Sequence, residues 1–198
     1  MKKFLLVVIV FISISNYVEA QEYFYKRAIG LFMSFGVGPR FPIGACSDEQ
    51  NLGAGIDVSF SYADNESLPF FVYATLGYQH FPGRQSYYTD TDHSSLSNNM
   101  INVDVGSRFY FPALVEDIVL LMPVVEAGAS LGIMEKLHEY KIDSGKQDYV
   151  EDTSYLGFHV GAGFSMFMLD AVAYYHYFKN NQYLSFNFKV RLPIFVRL

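Results

Sequence analysis

The 198-residue chain has a single cysteine, no tryptophan, few charges and no excess of bases. Each shortage removes a class of protein. Cys46 has no second cysteine in the chain to bridge, so the fold cannot rest on intrachain disulfides. Charged residues make up 17% of the chain, with 14 basic against 20 acidic, for a net charge of −6. That balance excludes a nucleic-acid partner, which calls for a basic patch. Long apolar runs are also missing after residue 20. The longest, Ile118 to Val125, is eight residues and contains Pro123, far short of the roughly 20 that a spanning helix needs.

What remains is an apolar composition with no helix to explain it. Hydrophobic residues are 51% of the chain and aromatics 18%. The first 20 residues read as a secretory signal peptide: Lys2 and Lys3, the apolar stretch Phe4 to Ile12, then Val18-Glu19-Ala20 before a cut at Gln21. The secreted chain keeps 12 basic and 19 acidic residues, a net charge of −7. An apolar secreted protein without spanning helices has one way to live in a membrane, the closed β-barrel.

The periodicity agrees. Eight segments alternate with period 2: Ile29–Gly38, Leu52–Tyr62, Phe70–His80, Asn99–Phe111, Val119–Ile133, Tyr155–Met168, Ala171–Phe178 and Leu184–Leu198. In LGAGIDVSFSY (52–62), Leu52, Ala54, Ile56, Val58, Phe60 and Tyr62 oppose Gly53, Gly55, Asp57, Ser59 and Ser61. Segment seven is aromatic on both faces and its parity stays open. The connections alternate in length. Those at 81–98 and 134–153 are long, whereas ADNESL, PALVED and a tight turn at Leu169-Asp170 are short. That asymmetry matches an outer-membrane barrel with long outer loops and short periplasmic turns.

The polar face decides which side is inside. A solvated face carries Lys, Glu and Gln; this one carries Gly53, Gly55, Gly77, Gly106, Gly128, Gly132, Gly157, Gly161 and Gly163. Glycine gains nothing on a wet strand face, but it fits the crowded lumen of an eight-stranded barrel, leaving room for Tyr73, Arg108, Tyr110 and Phe167. The apolar face is then the lipid face, with Tyr62, Phe70, Tyr78 and Phe111 as an aromatic girdle near the strand ends. Asp57, Asp104 and Glu126 fall inside with Arg108, Lys189 and Arg191. Three acids and three bases predict a lumenal ion-pair network, because a buried charge is tolerated only when paired. A gate or narrow ion path is the functional alternative. His159 is inward and is expected to be hydrogen-bonded in the core.

On these residues the chain resembles the small eight-stranded outer-membrane barrels of OmpA-like, OmpX-like and OmpW-like proteins. The resemblance spans residues 21–198 and rests on the signal peptide, the eight period-2 segments, the alternating connections and the C-terminal strand. It implies an all-β, antiparallel up-and-down transmembrane barrel in the outer membrane of a double-membraned bacterium, with both termini periplasmic. It further implies contact with outer-membrane lipid and lipopolysaccharide, insertion by the barrel-assembly machinery, and no cofactor. Members of the family are structural proteins, adhesins, small pores or lipid A enzymes. Two departures stand out. The chain ends FVRL rather than on an aromatic residue, and a peptidoglycan-binding domain like that of the larger family members is not expected.

The expected role is therefore non-enzymatic: structural or surface-interacting, through an extracellular ligand at loops 81–98 and 134–153, where Tyr87-Tyr88 lies. A small channel is the alternative. An enzyme is less favoured because His93-Ser94-Ser95 lies in a loop, which does not hold reactive geometry. Asp90-Thr91-Asp92 and the acidic stretch Glu135–Asp152 lack the glycine placement of a calcium loop. They read as solvated charges that repel surface lipid or bridge it through divalent ions. No metal site is expected. A soluble lipocalin-like binder would reverse the two faces. The glycine-rich face and the missing tryptophan, found near the start of lipocalins, oppose it.

Overall fold

The computed structural model describes residues 28–114, 120–179 and 181–197. The expected signal peptide, Val119 and Leu198 lie outside them. Eight strands follow in chain order: β1 (Ile29–Ile43), β2 (Gly53–Asp64), β3 (Phe71–Pro82), β4 (His93–Tyr110), β5 (Leu121–Tyr140), β6 (Tyr149–Met166), β7 (Leu169–Phe178) and β8 (Asn181–Arg197). Each pairs antiparallel with the next, and β1 pairs with β8, so the sheet closes into a barrel with no open edge. Closure satisfies every ladder, the condition for placing strands in hydrocarbon.

The alternating pattern sorts as an inside-out barrel. Asp57, Ser59 and Ser61 point in, while Ile56 and Leu76 remain 60% and 59% exposed on the outside. β7, whose parity the sequence leaves open, puts Asp170, Val172, Tyr174, His176 and Phe178 inside. The wall glycines make room, as expected. A methyl group at Gly55 would lie 2.8 Å from Nε of Arg40, and one at Gly128 would lie 2.8 Å from Cε1 of His159.

Three boundaries differ from the sequence reading. β4, β5 and β6 rise well past the expected ends, so the long connections shrink to residues 83–92 and 141–148. A lipid-crossing strand needs about 9–11 residues, and β5 has 20. Above the bilayer a strand's outer face has no reason to be apolar, so HSSLSN and EKLHEY lose the hydrophobic alternation while keeping the ladder. His93-Ser94-Ser95 thus belongs to a strand, not a loop. β1 also continues to Ile43 through Pro39 and Pro42, which read as loop residues. The third change is a two-residue turn at Phe167-Met168. Phe167 there adopts a left-handed φ of 53° and is exposed, rather than lumenal. Asp170 moves from the expected turn into β7.

At the end opposite the termini, a short helix α1 (Cys46–Glu49) follows Gly44, whose φ of 63° suits glycine. It folds over the mouth. Arg84 donates from its backbone N to Glu49 O and from Nη1 to Ser47 O, each at 2.8 Å, and Lys136 Nζ reaches Glu49 Oε2 at 2.5 Å. A second short helix, α2 (Gln85–Asp90), forms the β3–β4 connection.

Candidate functional site

The lumen gathers the charges. Apart from Asp64, which caps the β2–β3 turn, the buried charged residues among those described are Asp57, Asp104, Glu126 and Asp170, with Arg40, Arg108, Lys189 and Arg191. Four acids meet four bases. Arg40 Nη2 donates to Asp57 Oδ2 at 2.7 Å, and its Nη1 donates to Asn187 Oδ1 at 2.5 Å. Arg108 lies 2.8 Å from Glu126 Oε1 and 3.3 Å from Asp170 Oδ2, and Arg191 donates to the same Asp170 oxygen. Lys189 Nζ donates to the Tyr174 hydroxyl at 2.5 Å and lies over that ring. The lower dielectric of the interior strengthens such contacts and raises the cost of losing one partner.

The six charges read from the sequence all lie in the lumen, but their pairing differs. Asp57 takes Arg40 as its partner, not Arg108, Lys189 or Arg191. Arg40 escapes the sequence reading because Pro39 and Pro42 mask the end of β1. Asp170 escapes it because the turn is misplaced by two residues. Period-2 counting back from His176 through Tyr174 and Val172 reaches Asp170, so a signal for it exists.

Asp104 has no arginine or lysine within ion-pair distance among the described residues. Its oxygens accept from Asn102 Nδ2 at 2.6 Å and from Ser130 Oγ at 2.5 Å, and His159 Nδ1 lies 3.4 Å away. The other ring nitrogen of His159 meets the Tyr73 hydroxyl. Ser130, His159 and Asp104 carry the residue types of a hydrolase triad without its order. In a triad, serine and acid occupy opposite nitrogens of the imidazole; here both sit on the Nδ1 side. The cavity among these groups is about 10 Å³, room for roughly one water.

Two buried clusters of large side chains pack against the polar section. Toward the end opposite the termini, Phe81, Met100, Met134, Phe178 and Tyr183 form a buried cluster across the lumen. Toward the termini, Val124, Val172 and Tyr174 pack with Tyr110, and Phe71 bridges Tyr110 and Phe32. Above the upper layer, a 220 Å³ depression is lined by Glu49, Lys136, Glu151 and Lys179, among others. The rim beside it carries a ring stack in which His138 lies 4.4 Å from Tyr149 and His93 lies 4.5 Å from Tyr140.

The groups outside the spanning section are simpler. Burial raises the Cys46 thiol above its usual range, and the thiol donates to Asn181 Oδ1 at 3.0 Å. Lys146, 2.8 Å from Asp92, holds that carboxyl below the usual range. Of the four girdle aromatics, Tyr62, Phe70 and Phe111 sit near the end with the termini. Tyr78 faces outward toward the other end, its hydroxyl 3.0 Å from Asn99.

The geometry defines a class: a closed, eight-stranded barrel, apolar outside, with a packed polar lumen. No protein-family model and no curated protein matches the chain. Solved structures do. The chain is similar to Neisserial surface protein A, with 16% identity, 84% of this chain and 99% of the other covered, and a TM-score of 0.55. It is also similar to Ail, the attachment invasion locus protein of Yersinia pestis, with 12% identity, 85% and 100% covered, and a TM-score of 0.49. The N-terminal β-barrel domain of Pseudomonas aeruginosa OprF matches with 13% identity, 82% and 98% covered, and a TM-score of 0.47. At these identities the likeness concerns the fold, which is that of the eight-stranded outer-membrane barrels.

Proposed function

We propose that the protein is a non-enzymatic outer-membrane barrel with a closed lumen, which serves as a rigid membrane anchor for the surface formed by the raised β4–β6 strands and α1. The carrying observation is the apolar layer of Phe81, Met100, Met134, Phe178 and Tyr183 lying over a charge-balanced core. A water-filled path would need polar, hydrated walls; this layer is apolar apart from the Tyr183 hydroxyl, which is taken by Gln79 Nε2. The ends of β4, β5 and β6 that rise beyond the expected boundaries favour placing both termini in the periplasm and the depression above Met134 on the cell surface. Lipopolysaccharide would surround the outer belt there, and an extracellular ligand would meet the 83–92 and 141–148 connections and the His138–Tyr149 rim. Insertion would use the barrel-assembly machinery.

Planar-bilayer recording tests the reading. The wild type is expected to give no steady unitary conductance. Steady conductance from the wild type, altered in Asp57→Asn, supports the channel alternative and overturns the closed-lumen reading.

A further inference from the structure

The geometry points to a divalent metal site inside the lumen, formed by Asp104, His159 and His176. A carboxylate oxygen of Asp104 and one ring nitrogen of each histidine lie within 4.8 Å of one another, and all three residues are buried. The histidines sit directly opposite on β6 and β7, with ring centres 5.6 Å apart and planes at 29°. Two imidazoles and a carboxylate form a donor set for a first-row divalent ion such as Zn²⁺.

Three independent features support this assignment. The first is an orphaned donor: His176 is only 4% exposed, yet its Nδ1 has no hydrogen-bond partner. Its Nε2 faces Ser185 Oγ at 3.3 Å. A buried imidazole nitrogen without a partner carries its full desolvation cost, and a metal bond would remove it. The second feature is charge. Asp57, Glu126 and Asp170 have guanidinium partners, whereas Asp104 has none among the described residues. Among the described residues the lumen as a whole holds four acids and four bases, but none of the bases sits beside Asp104, and a bound cation would give it a local partner. The third is orientation. With the Tyr73 hydroxyl on Nε2 of His159, Nδ1 faces Ser130 Oγ at 2.8 Å and Asp104 at 3.4 Å, so a metal there would take the place of the Ser130 contact. His176 is held by stacking on Tyr183 at 4.5 Å and 11°. Outer contacts of this kind fix ligating histidines.

The space fits as well. The adjoining cavity of about 10 Å³ admits one small ion or one water. Metal–ligand bonds of about 2.0–2.2 Å require the three donors to draw together from their present spacing by about 1 Å. The layer of Phe81, Met100, Met134, Phe178 and Tyr183 and the tight packing of the lumen enclose the site, so the metal would enter during folding and then stay. Its role would be to tie β4, β6 and β7 together across the lumen.

The test uses protein extracted from cell envelopes in detergent, unfolded in urea with chelator, and refolded with Zn²⁺ alone. After desalting, elemental analysis should find about one Zn²⁺ per chain in the wild type. His176→Gln and Asp104→Asn should each lose most of it while keeping the gel mobility of the folded barrel. The His93→Gln/His138→Gln double variant, which removes the rim histidines, should retain it. Wild type refolded correctly without zinc overturns the site, as does zinc that follows the rim pair. If the lumenal variants do not fold, Co²⁺-loaded wild type decides: a visible spectrum of cobalt bound by nitrogen ligands supports the site, and the spectrum of hydrated cobalt overturns it.

Discussion

Asp57 gives the sharpest energetic prediction. Its carboxylate and the Arg40 guanidinium meet at 2.7 Å, with side chains 6% and 1% exposed. Asp57→Asn keeps the volume and removes the charge. Arg40 then remains buried with neutral acceptors only, Asn187 Oδ1 and the Gly38 carbonyl. Orphaning one member of a buried ion pair costs about 3–5 kcal/mol, and the surviving neutral hydrogen bonds place the expectation near the lower bound, about 3 kcal/mol. Arg40→Met added to Asp57→Asn removes the orphan, so the double variant should be more stable than the sum of the singles by at least about 1.5 kcal/mol. Equilibrium urea unfolding in lipid vesicles reads all three. Asp92→Asn is the control, since the Asp92–Lys146 contact is exposed and such pairs contribute little. Equal stability of Asp57→Asn and Asp92→Asn would refute the burial of the pair, and with it the assignment of the faces.

Further outcomes follow from the same geometry. Gly128→Val should fail to assemble or unfold at clearly lower urea, because a side chain there meets the Gly106 Cα at 2.7 Å and His159, and overpacking costs about 1–3 kcal/mol or more; normal folding on gels contradicts the crowding. Cys46, buried and with its thiol raised above the usual range, should react with maleimide about tenfold or more slowly in the folded barrel than in urea; equal rates would place it in solvent. Lys146 holds the Asp92 carboxyl down, so their contact should persist above about pH 4 and be lost only as the pH falls below the usual carboxylate range. Carboxyl NMR should show a lowered Asp92 titration in the wild type and an ordinary one in Lys146→Met.

The sequence carries the architecture because lipid and a packed lumen leave opposite signatures on alternate residues. Ile56 and Asp57 could exchange faces in a soluble sheet. The glycines that share a parity with Asp57 rule that out, since several vacate space for a large neighbour, as Gly55 does for Arg40 and Gly128 for His159. What stays illegible is whatever lacks that contrast. β7 packs Tyr174 inside and Tyr175 outside, and alternation between aromatics is no alternation. The raised ends of β4 to β6 stand clear of lipid, so their outer faces are polar and resemble loops. The network partners Arg40 and Asp170 sit next to a proline and a turn, where periodicity is weakest. His176 shares the ambiguity of its strand, so the grouping with Asp104 and His159 emerges only from the closed ring.

The central claim is that the apolar face meets lipid and the polar face is enclosed. The absence of tryptophan allows a direct measurement. Leu76→Trp, at a position 59% exposed on the outer face of β3, introduces a single tryptophan, which red-edge excitation reads apart from the tyrosines. In vesicles of lipid brominated in mid-chain, its fluorescence should be strongly quenched relative to unbrominated lipid, while aqueous iodide leaves it unchanged. Fluorescence insensitive to the bromines would put the apolar face inside the protein and contradict the account.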